Sequence, residues 1–177
     1  SILHETLLRE MLAREEVERR LQHQAFHNGT TDLPNRRMLL QIMDHDGFWS
    51  DTDDVKKALL CIEIDNYKKI SNVMGHTYGD EIQKHFAAAL KKIIRSNDSV
   101  SQIDTDIFMV IIDPSDQYEK SLPEIVDAVI TRLKTLIAEP MTIGSNAILL
   151  SIQAGYEIFP NPDWLSEEVI SHAEIAK

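Results

Sequence analysis

The sequence has 177 residues, enough for one domain with an additional segment, and 43% of them are hydrophobic. This apolar fraction is typical of a globular protein that buries a core. The net charge is −11, which argues against general binding to nucleic acid or insertion into an anionic membrane. Cys61 is the only cysteine, so no disulfide can form within the chain. We find no signal peptide and no apolar run of membrane-spanning length, which predicts a cytoplasmic location.

The first 26 residues are predicted to form a helical stalk. Residues 3–25 contain no Gly or Pro and are rich in strong helix formers. Apolar residues recur there at three- and four-residue spacing, namely Leu3, Leu7, Leu8, Met11, Leu12, Val17 and Leu21. Two arrangements remain open: a coiled coil that makes a homodimer and joins an upstream domain, or a helix packed along its own domain. The stripe favours the coiled coil.

The rest of the chain mixes helices and strands. The predicted elements are a helix beginning near Pro34, a strand ending at Asp65, a helix carrying Lys68, a helix over 80–95, strands over 99–103 and 107–112, a helix over 123–138, a strand over 148–159 and a helix from Glu167. Thr77 or Asp80 is expected to cap the fourth of these elements. The order predicts an α+β or mixed α/β fold. Residues 44–54 contain five aspartates without EF-hand spacing, which favours a solvated loop.

The strand ending at Asp65 brings two carboxylates to one place. Alternation along a strand puts Glu63 and Asp65 on one face and Ile64 on the other. A helix with Lys68 follows, and the sequence GHTYGD over 75–80 then leads into another helix. Carboxylates, a lysine and a glycine-bearing turn suit a site for a metal ion and a nucleotide.

Four segments together resemble the GGDEF domains, which are diguanylate cyclases. They are TTDLPNRR at 30–37, IEIDNYKKISNVMGHTYGD at 62–80, SQIDTDIFMVII at 101–112 and SIQAGYEIFP at 151–160. The likeness covers about residue 27 to 177, with the last helix incomplete. It implies a fold similar to the nucleotidyl-cyclase palm, a central antiparallel sheet flanked by helices. Active members of the family condense two GTP molecules into cyclic di-GMP with a divalent metal, and each half of a dimer presents one GTP.

The family signature, Gly-Gly-Asp/Glu-Glu-Phe, falls on Asp104, Thr105, Asp106, Ile107 and Phe108. The resemblance implies that the two missing glycines would let the backbone approach the nucleotide, which side chains obstruct. Asp106 keeps a carboxylate at the principal metal position, whereas Ile107 removes the second acid. Loss of one preorganised electrostatic group costs roughly 10²–10³ in rate, so several such changes predict a catalytically inactive domain.

Residues at other positions of the family pattern are still compatible with nucleotide binding. By resemblance, Lys68 matches a phosphate-contacting lysine, Ser71 stands where the family uses Asn to read guanine, and Asp80 keeps a guanine contact. Gln102 replaces an arginine two residues before the signature. The resemblance also assigns a vestigial metal site to Glu63, Ile64 and Asp106. An inactive domain requires no cofactor. If GTP binding is retained, Mg²⁺ is the cofactor expected to accompany it. The alternative is that these charges only cap and solvate the fold.

Arg95 and Asp98 match the RxxD inhibitory site, at which active cyclases bind their product cyclic di-GMP. Arginine suits such a ligand because its guanidinium forks onto phosphate or guanine edges. The alternative is an i,i+3 ion pair at a helix C-terminus.

The resemblance favours a regulatory and dimerisation module in a longer bacterial signalling protein. Degenerate GGDEF domains often follow PAS or receiver domains and precede EAL phosphodiesterase domains. Other domains of such a protein can recruit it to a membrane or cell pole. Ile107 and Phe108 resemble the degenerate signature of FimX-type proteins, which are linked to motility. A sensor that binds cyclic di-GMP or GTP is the alternative function, and a weak cyclase is less favoured.

Overall fold

The computed structural model describes residues 1–45 and 56–177. The helices are α1 (Ile2–Phe26), α2 (Arg36–Asp44), α3 (Tyr67–Met74), α4 (His76–Ile93), α5 (Leu122–Ile137) and α6 (Ser166–Ala176). The strands are β1 (Lys57–Ile64), β2 (Ser99–Asp104), β3 (Ile107–Ile112), β4 (Met141–Ile143), β5 (Asn146–Ile148) and β6 (Ile152–Phe159). Asp44 ends α2, and residues 46–54 of the predicted acidic loop lie outside the described residues.

A four-stranded antiparallel sheet forms the centre of the fold, in the order β2-β3-β1-β6. The apolar strand β1 is central because it pairs with β3 on one side and with β6 on the other. Its alternate residues enter two separate cores, as the period of a strand requires. Leu60 and Ile62 belong to the core that includes residues of α4 and α5, whereas Leu59 and Cys61 belong to the core that includes residues of α2 and α6. The predicted antiparallel sheet flanked by helices is confirmed.

The strand predicted over 148–159 is observed as β6, but it begins four residues later, at Ile152. A small hairpin of β4 and β5, with Gly144 at a φ of 60° in its turn, precedes it and was not predicted. Each hairpin strand has three residues, too few for alternation to be recognised in the sequence.

The helix predicted to begin near Pro34 begins two residues later, at Arg36, whereas the predicted start of α4 needs correction. Pro34 lies outside α2 and forms an isolated bridge with His27, while the Asn35 side chain caps the helix by accepting from Met38 N at 3.1 Å. Residues 77 and 80 lie inside α4, which begins at His76. Gly75 precedes it with a φ of 97°, a conformation that favours glycine and breaks the chain between α3 and α4.

The helix α1 has no buried residue, and the seven apolar residues of its stripe are 50–70% exposed. The alternative in which this helix packs along its own domain is therefore wrong. Its last turn is partly covered, and there Asn35 Nδ2 donates to Ala25 O at 2.9 Å. None of the helices in the described ranges is long and apolar enough to cross a membrane.

Candidate functional site

The acidic end of β1 lies in the middle of the sheet edge formed by β3, β1 and β6. Ile64 is buried, Glu63 is half-buried, and Asp65, which directly follows β1, is exposed. Both carboxylates have partners: Glu63 Oε2 contacts Lys177 Nζ, and Asp65 Oδ1 accepts from Gln153 Nε2 at 2.9 Å. The sequence pattern found the two acids but not the side chains that hold them.

The β2–β3 turn carries the signature beside this strand end. Asp104 and Thr105 are exposed at its tip, where Thr105 N donates to Asp104 Oδ1 at 2.7 Å. The turn is tied to β1 because Ile64 N donates to Asp106 O at 2.9 Å. Ile107 pairs directly with Glu63 across the ladder, so an apolar side chain neighbours this acid.

Asp106 is buried at the base of the turn, with 2% of its surface exposed. Its Oδ1 atom has no hydrogen-bond partner within the part of the chain that the structure describes. Burial raises the pKa of Asp106, and the negative charges of Asp104 and Glu63 raise it further, whereas the Lys68 ammonium lowers it. The net effect is a raised pKa, so the environment opposes a charge on this carboxyl group.

The helices α3 and α4 hold the positions that the resemblance assigns to a nucleotide. Lys68 is exposed on α3, and Asp80 is half-buried on α4. Ser71 is 9% exposed and packs against Gly79: a Cβ atom built on this glycine would lie 2.7 Å from Ser71 Oγ and 2.7 Å from Tyr67 OH. The hydroxyl group that stands at the guanine-reading position therefore also forms the contact between the two helices.

A buried row of polar side chains was not predicted. Gln83 Nε2 donates to Tyr67 OH at 2.7 Å, and Gln102 Nε2 donates to Gln83 Oε1 at 2.8 Å. Thr31 Oγ1 in turn donates to Gln102 Oε1 at 2.5 Å. The row joins the segment after α1 to α3, so Gln102, which stands in place of an arginine, is a structural residue here. The sequence did contain one sign of this row: Gln83 lies within the otherwise apolar face of α4.

Sequence comparison identifies the family. The family model of the diguanylate cyclase GGDEF domain matches residues 25–177. The chain belongs to the GGDEF family. It is therefore a domain of bacterial cyclic di-GMP signalling.

Relatives and solved structures agree with this assignment. The chain is 25% identical over 160 residues to the cyclic di-GMP phosphodiesterase PdeR of Escherichia coli strain K12, which covers 90% of the chain but 23% of PdeR. It thus spans about a quarter of that relative's length. Diguanylate cyclase SiaD of Pseudomonas aeruginosa has a similar fold, with a TM-score of 0.73 and 19% identity over 98% of this chain and 65% of that one. The GGDEF domain of FimX from the same organism gives a TM-score of 0.73 and 16% identity, covering 85% of this chain and 90% of that one.

The RxxD residues of this GGDEF domain form a turn. Asp98 Oδ2 accepts from Arg95 N at 3.0 Å, and Asp98 Oδ1 accepts from Asp113 N at 2.9 Å. The Arg95 guanidinium lies 3.9 Å from Asp116 instead, so the predicted i,i+3 ion pair between side chains is wrong. Both carboxylate oxygens of Asp98 accept hydrogen bonds from backbone N–H groups, while the Arg95 side chain remains partly exposed.

The family implies a divalent metal at Glu63, Ile64 and Asp106, and the residues present do not fit one. The buried Asp106 Oδ1 atom could accept a cation, but Glu63 is already paired with the Lys177 ammonium. Across residues 1–45 and 56–177, no group of three or more His, Cys, Asp and Glu side chains is arranged to hold a metal. A hard divalent ion needs several oxygen ligands, which this arrangement does not offer.

Proposed function

We propose that this GGDEF domain is a regulatory and dimerisation module without cyclase activity. The β2–β3 turn carries the proposal. Where the family has two glycines, side chains of Asp104 and Thr105 stand exposed at the tip, and Asp104 adds negative charge where a triphosphate would lie.

The internal bonding of the turn supports the same conclusion. The Thr105 backbone N–H, a group that could donate to a phosphate oxygen, is already bonded to Asp104 Oδ1. Ile107, beside Glu63 in the ladder, supplies no second acid. One backbone donor of the turn is thus already engaged and its second acid is missing, which supports a domain without the chemistry of the family.

The activity test is incubation of the chain with GTP and Mg²⁺ or Mn²⁺, followed by chromatography of the products. We expect no cyclic di-GMP, because several electrostatic groups of the site are changed together. The Asp106→Ala variant is the matched control for contaminating activity. Cyclic di-GMP made by the wild type and abolished in Asp106→Ala would refute the proposal.

The stripe on α1 supports the dimerisation part of the proposal. Its side chains are exposed at the spacing of a coiled coil, and such a surface gains stability when a second copy covers it. Light scattering of the chain with and without residues 1–25 tests this part. We expect the full chain to be a dimer and the shortened chain to be a monomer. A shortened chain with the mass of a dimer would contradict this part of the proposal.

The domain is further proposed to act within a longer cytoplasmic signalling protein, next to EAL, PAS or receiver domains. PdeR, a phosphodiesterase by name, is about four times as long as the segment that it shares with this chain. The degenerate turn and the exposed α1 suit a domain that transmits a signal between such neighbours. The EAL neighbour and a FimX-type role in motility are parts of this proposal.

A nucleotide sensor is the second candidate function. The exposed Lys68 and the half-buried Asp80 favour it, because a phosphate and a guanine edge could still reach them. GTP with Mg²⁺, or cyclic di-GMP at Arg95, would then act as an allosteric ligand. Calorimetry with both nucleotides on the wild type, Lys68→Ala and Arg95→Ala tests this candidate. If neither nucleotide gives a heat of binding at tens of micromolar, the sensor is excluded and the domain acts as an interaction module.

A further inference from the structure

An ammonium group of the chain itself lies on the acidic end of β1. Lys177 Nζ contacts Glu63 Oε2, and the two side chains are 16% and 28% exposed, respectively. This is a half-buried ion pair, screened less by solvent and salt than a pair on the open surface. It joins α6 to the strand that holds the family's metal position.

The periodicities of α6 and β1 bring the two residues together. Ala173 is fully buried in the core shared with Cys61, and Lys177 follows it by four residues on the same side of the helix. Glu63 follows Cys61 by two residues and therefore points to the same face of the sheet. The apolar contact between α6 and β1 thus ends in an ion pair.

Gly155 holds the backbone that carries Lys177 close to the sheet. This glycine of β6 pairs with Cys61 of β1. A Cβ atom at Gly155 would lie 2.3 Å from Ala176 C and 2.3 Å from Lys177 N, so no larger residue fits without moving the end of α6. Close packing therefore sets the backbone position of Lys177 beside the sheet.

We propose that Lys177 is a built-in counter-ion for Glu63 and takes the place of a divalent cation at this end of the sheet. An ammonium group donates to a carboxylate without the ring of oxygen ligands that Mg²⁺ demands. A divalent ion that approaches Glu63 meets this positive charge and has to displace it. The inference deepens the proposed function, because a domain that retains this pair keeps its acidic strand without any metal.

Thermal unfolding of the wild type and of Lys177→Met, with and without Mn²⁺, tests the proposal. The wild-type midpoint should not respond to millimolar Mn²⁺ or to a chelator. Lys177→Met keeps the apolar stem but leaves Glu63 half-buried and unpaired, so its midpoint should fall by about 3–6 °C. Mn²⁺ should then restore part of this loss. Equal shifts with Mn²⁺ in the wild type and in the variant would overturn the proposal.

A second lysine controls for the general effect of replacing a helix-borne positive charge with an apolar side chain. Lys134 is exposed in the last turn of α5, so Lys134→Met removes a charge far from Glu63. We expect its midpoint to change by about 1–2 °C or less, with no response to Mn²⁺.

A double-mutant cycle decides whether the two groups interact. Glu63→Gln and Lys177→Met should each lower the midpoint, and the double variant should lose clearly less than their sum. Additive losses would overturn the proposal. The cycle is independent of cyclase activity: cyclic di-GMP made by the wild type refutes the inactive domain, whereas additivity refutes only the counter-ion.

Discussion

The α3–α4 side of the candidate site and the β2–β3 turn differ in what their residues do for the fold. On the α3–α4 side, Ser71 packs against Gly79 and holds the two helices together. At the turn, Asp104 and Thr105 are exposed and bonded only locally. Gly79, which matches the family, is thus needed for packing whether or not a nucleotide binds. A match at such positions is weak support for activity, and the turn is the more informative region.

The same contrast runs through the signature itself. Phe108, its last residue, is fully buried and packs on Phe86 with ring centroids 4.9 Å apart. The tip residues three and four positions earlier have no comparable packing. Substitutions at the packed and at the exposed positions should therefore have clearly different effects on stability and on activity.

The largest effect is expected for Phe108→Ala. Truncation leaves a cavity in the core between the sheet and α4, which should lower the free energy of unfolding by about 3–5 kcal/mol. Urea denaturation of the variant and the wild type measures this loss. Tyr118→Ala removes an aromatic ring that is 92% exposed and should change stability by less than about 0.5 kcal/mol. Similar losses in the two variants would contradict the structural role of the signature Phe.

Gly79→Val tests the packed side of the site. The added side chain would collide with Ser71 Oγ and Tyr67 OH, so α3 and α4 have to move apart. We expect a loss of about 1–3 kcal/mol in the free energy of unfolding. Gly29→Val is the control, because a Cβ atom there meets nothing within 4 Å. Equal stability of the two variants would show that Gly79 does not close the helix contact.

Most of the fold could be predicted from the sequence, because long amphipathic helices and the apolar β1 carry strong periodic signals. The carboxylates Glu63 and Asp65 were also identified by their place at the end of a strand. Their partners were not, since Lys177 and Gln153 lie far away in the chain and meet them only through the sheet. The β4–β5 hairpin escaped because its strands are too short to show alternation.

The RxxD motif shows why a match in position does not define a contact. The sequence places Arg95 and Asp98 three residues apart, which allows either a ligand site or an ion pair. In the fold, Asp98 accepts from two backbone N–H groups, so the ion pair with Arg95 does not form, while the ligand site stays a prediction. Local turn bonding of Asp competes with side-chain pairing, and spacing alone cannot decide between them.

Asp106→Asn probes the buried base of the turn. The folded-state pKa of Asp106 is raised by burial, so the wild type loses stability as the pH rises through the range between the unfolded and folded pKa values. Removing the charge should therefore raise the free energy of unfolding at neutral pH. This gain should shrink at a pH below the usual pKa of a carboxyl group. Urea denaturation at neutral pH and at this low pH measures the difference. A gain that does not depend on pH would contradict a raised pKa.

The smallest effect on stability is expected for the double variant Asp104→Gly, Thr105→Gly, which gives the turn the two family glycines. Among the described residues only Asp32 combines a side chain with a positive φ, so the turn itself does not need glycine. The added chain entropy should cost about 1 kcal/mol or less. We expect no cyclic di-GMP from this variant, because Ile107 still supplies no acid and Lys177 still pairs with Glu63. Product formation with GTP and Mg²⁺ would show that the turn alone blocks the chemistry, and that the ion pair yields to metal.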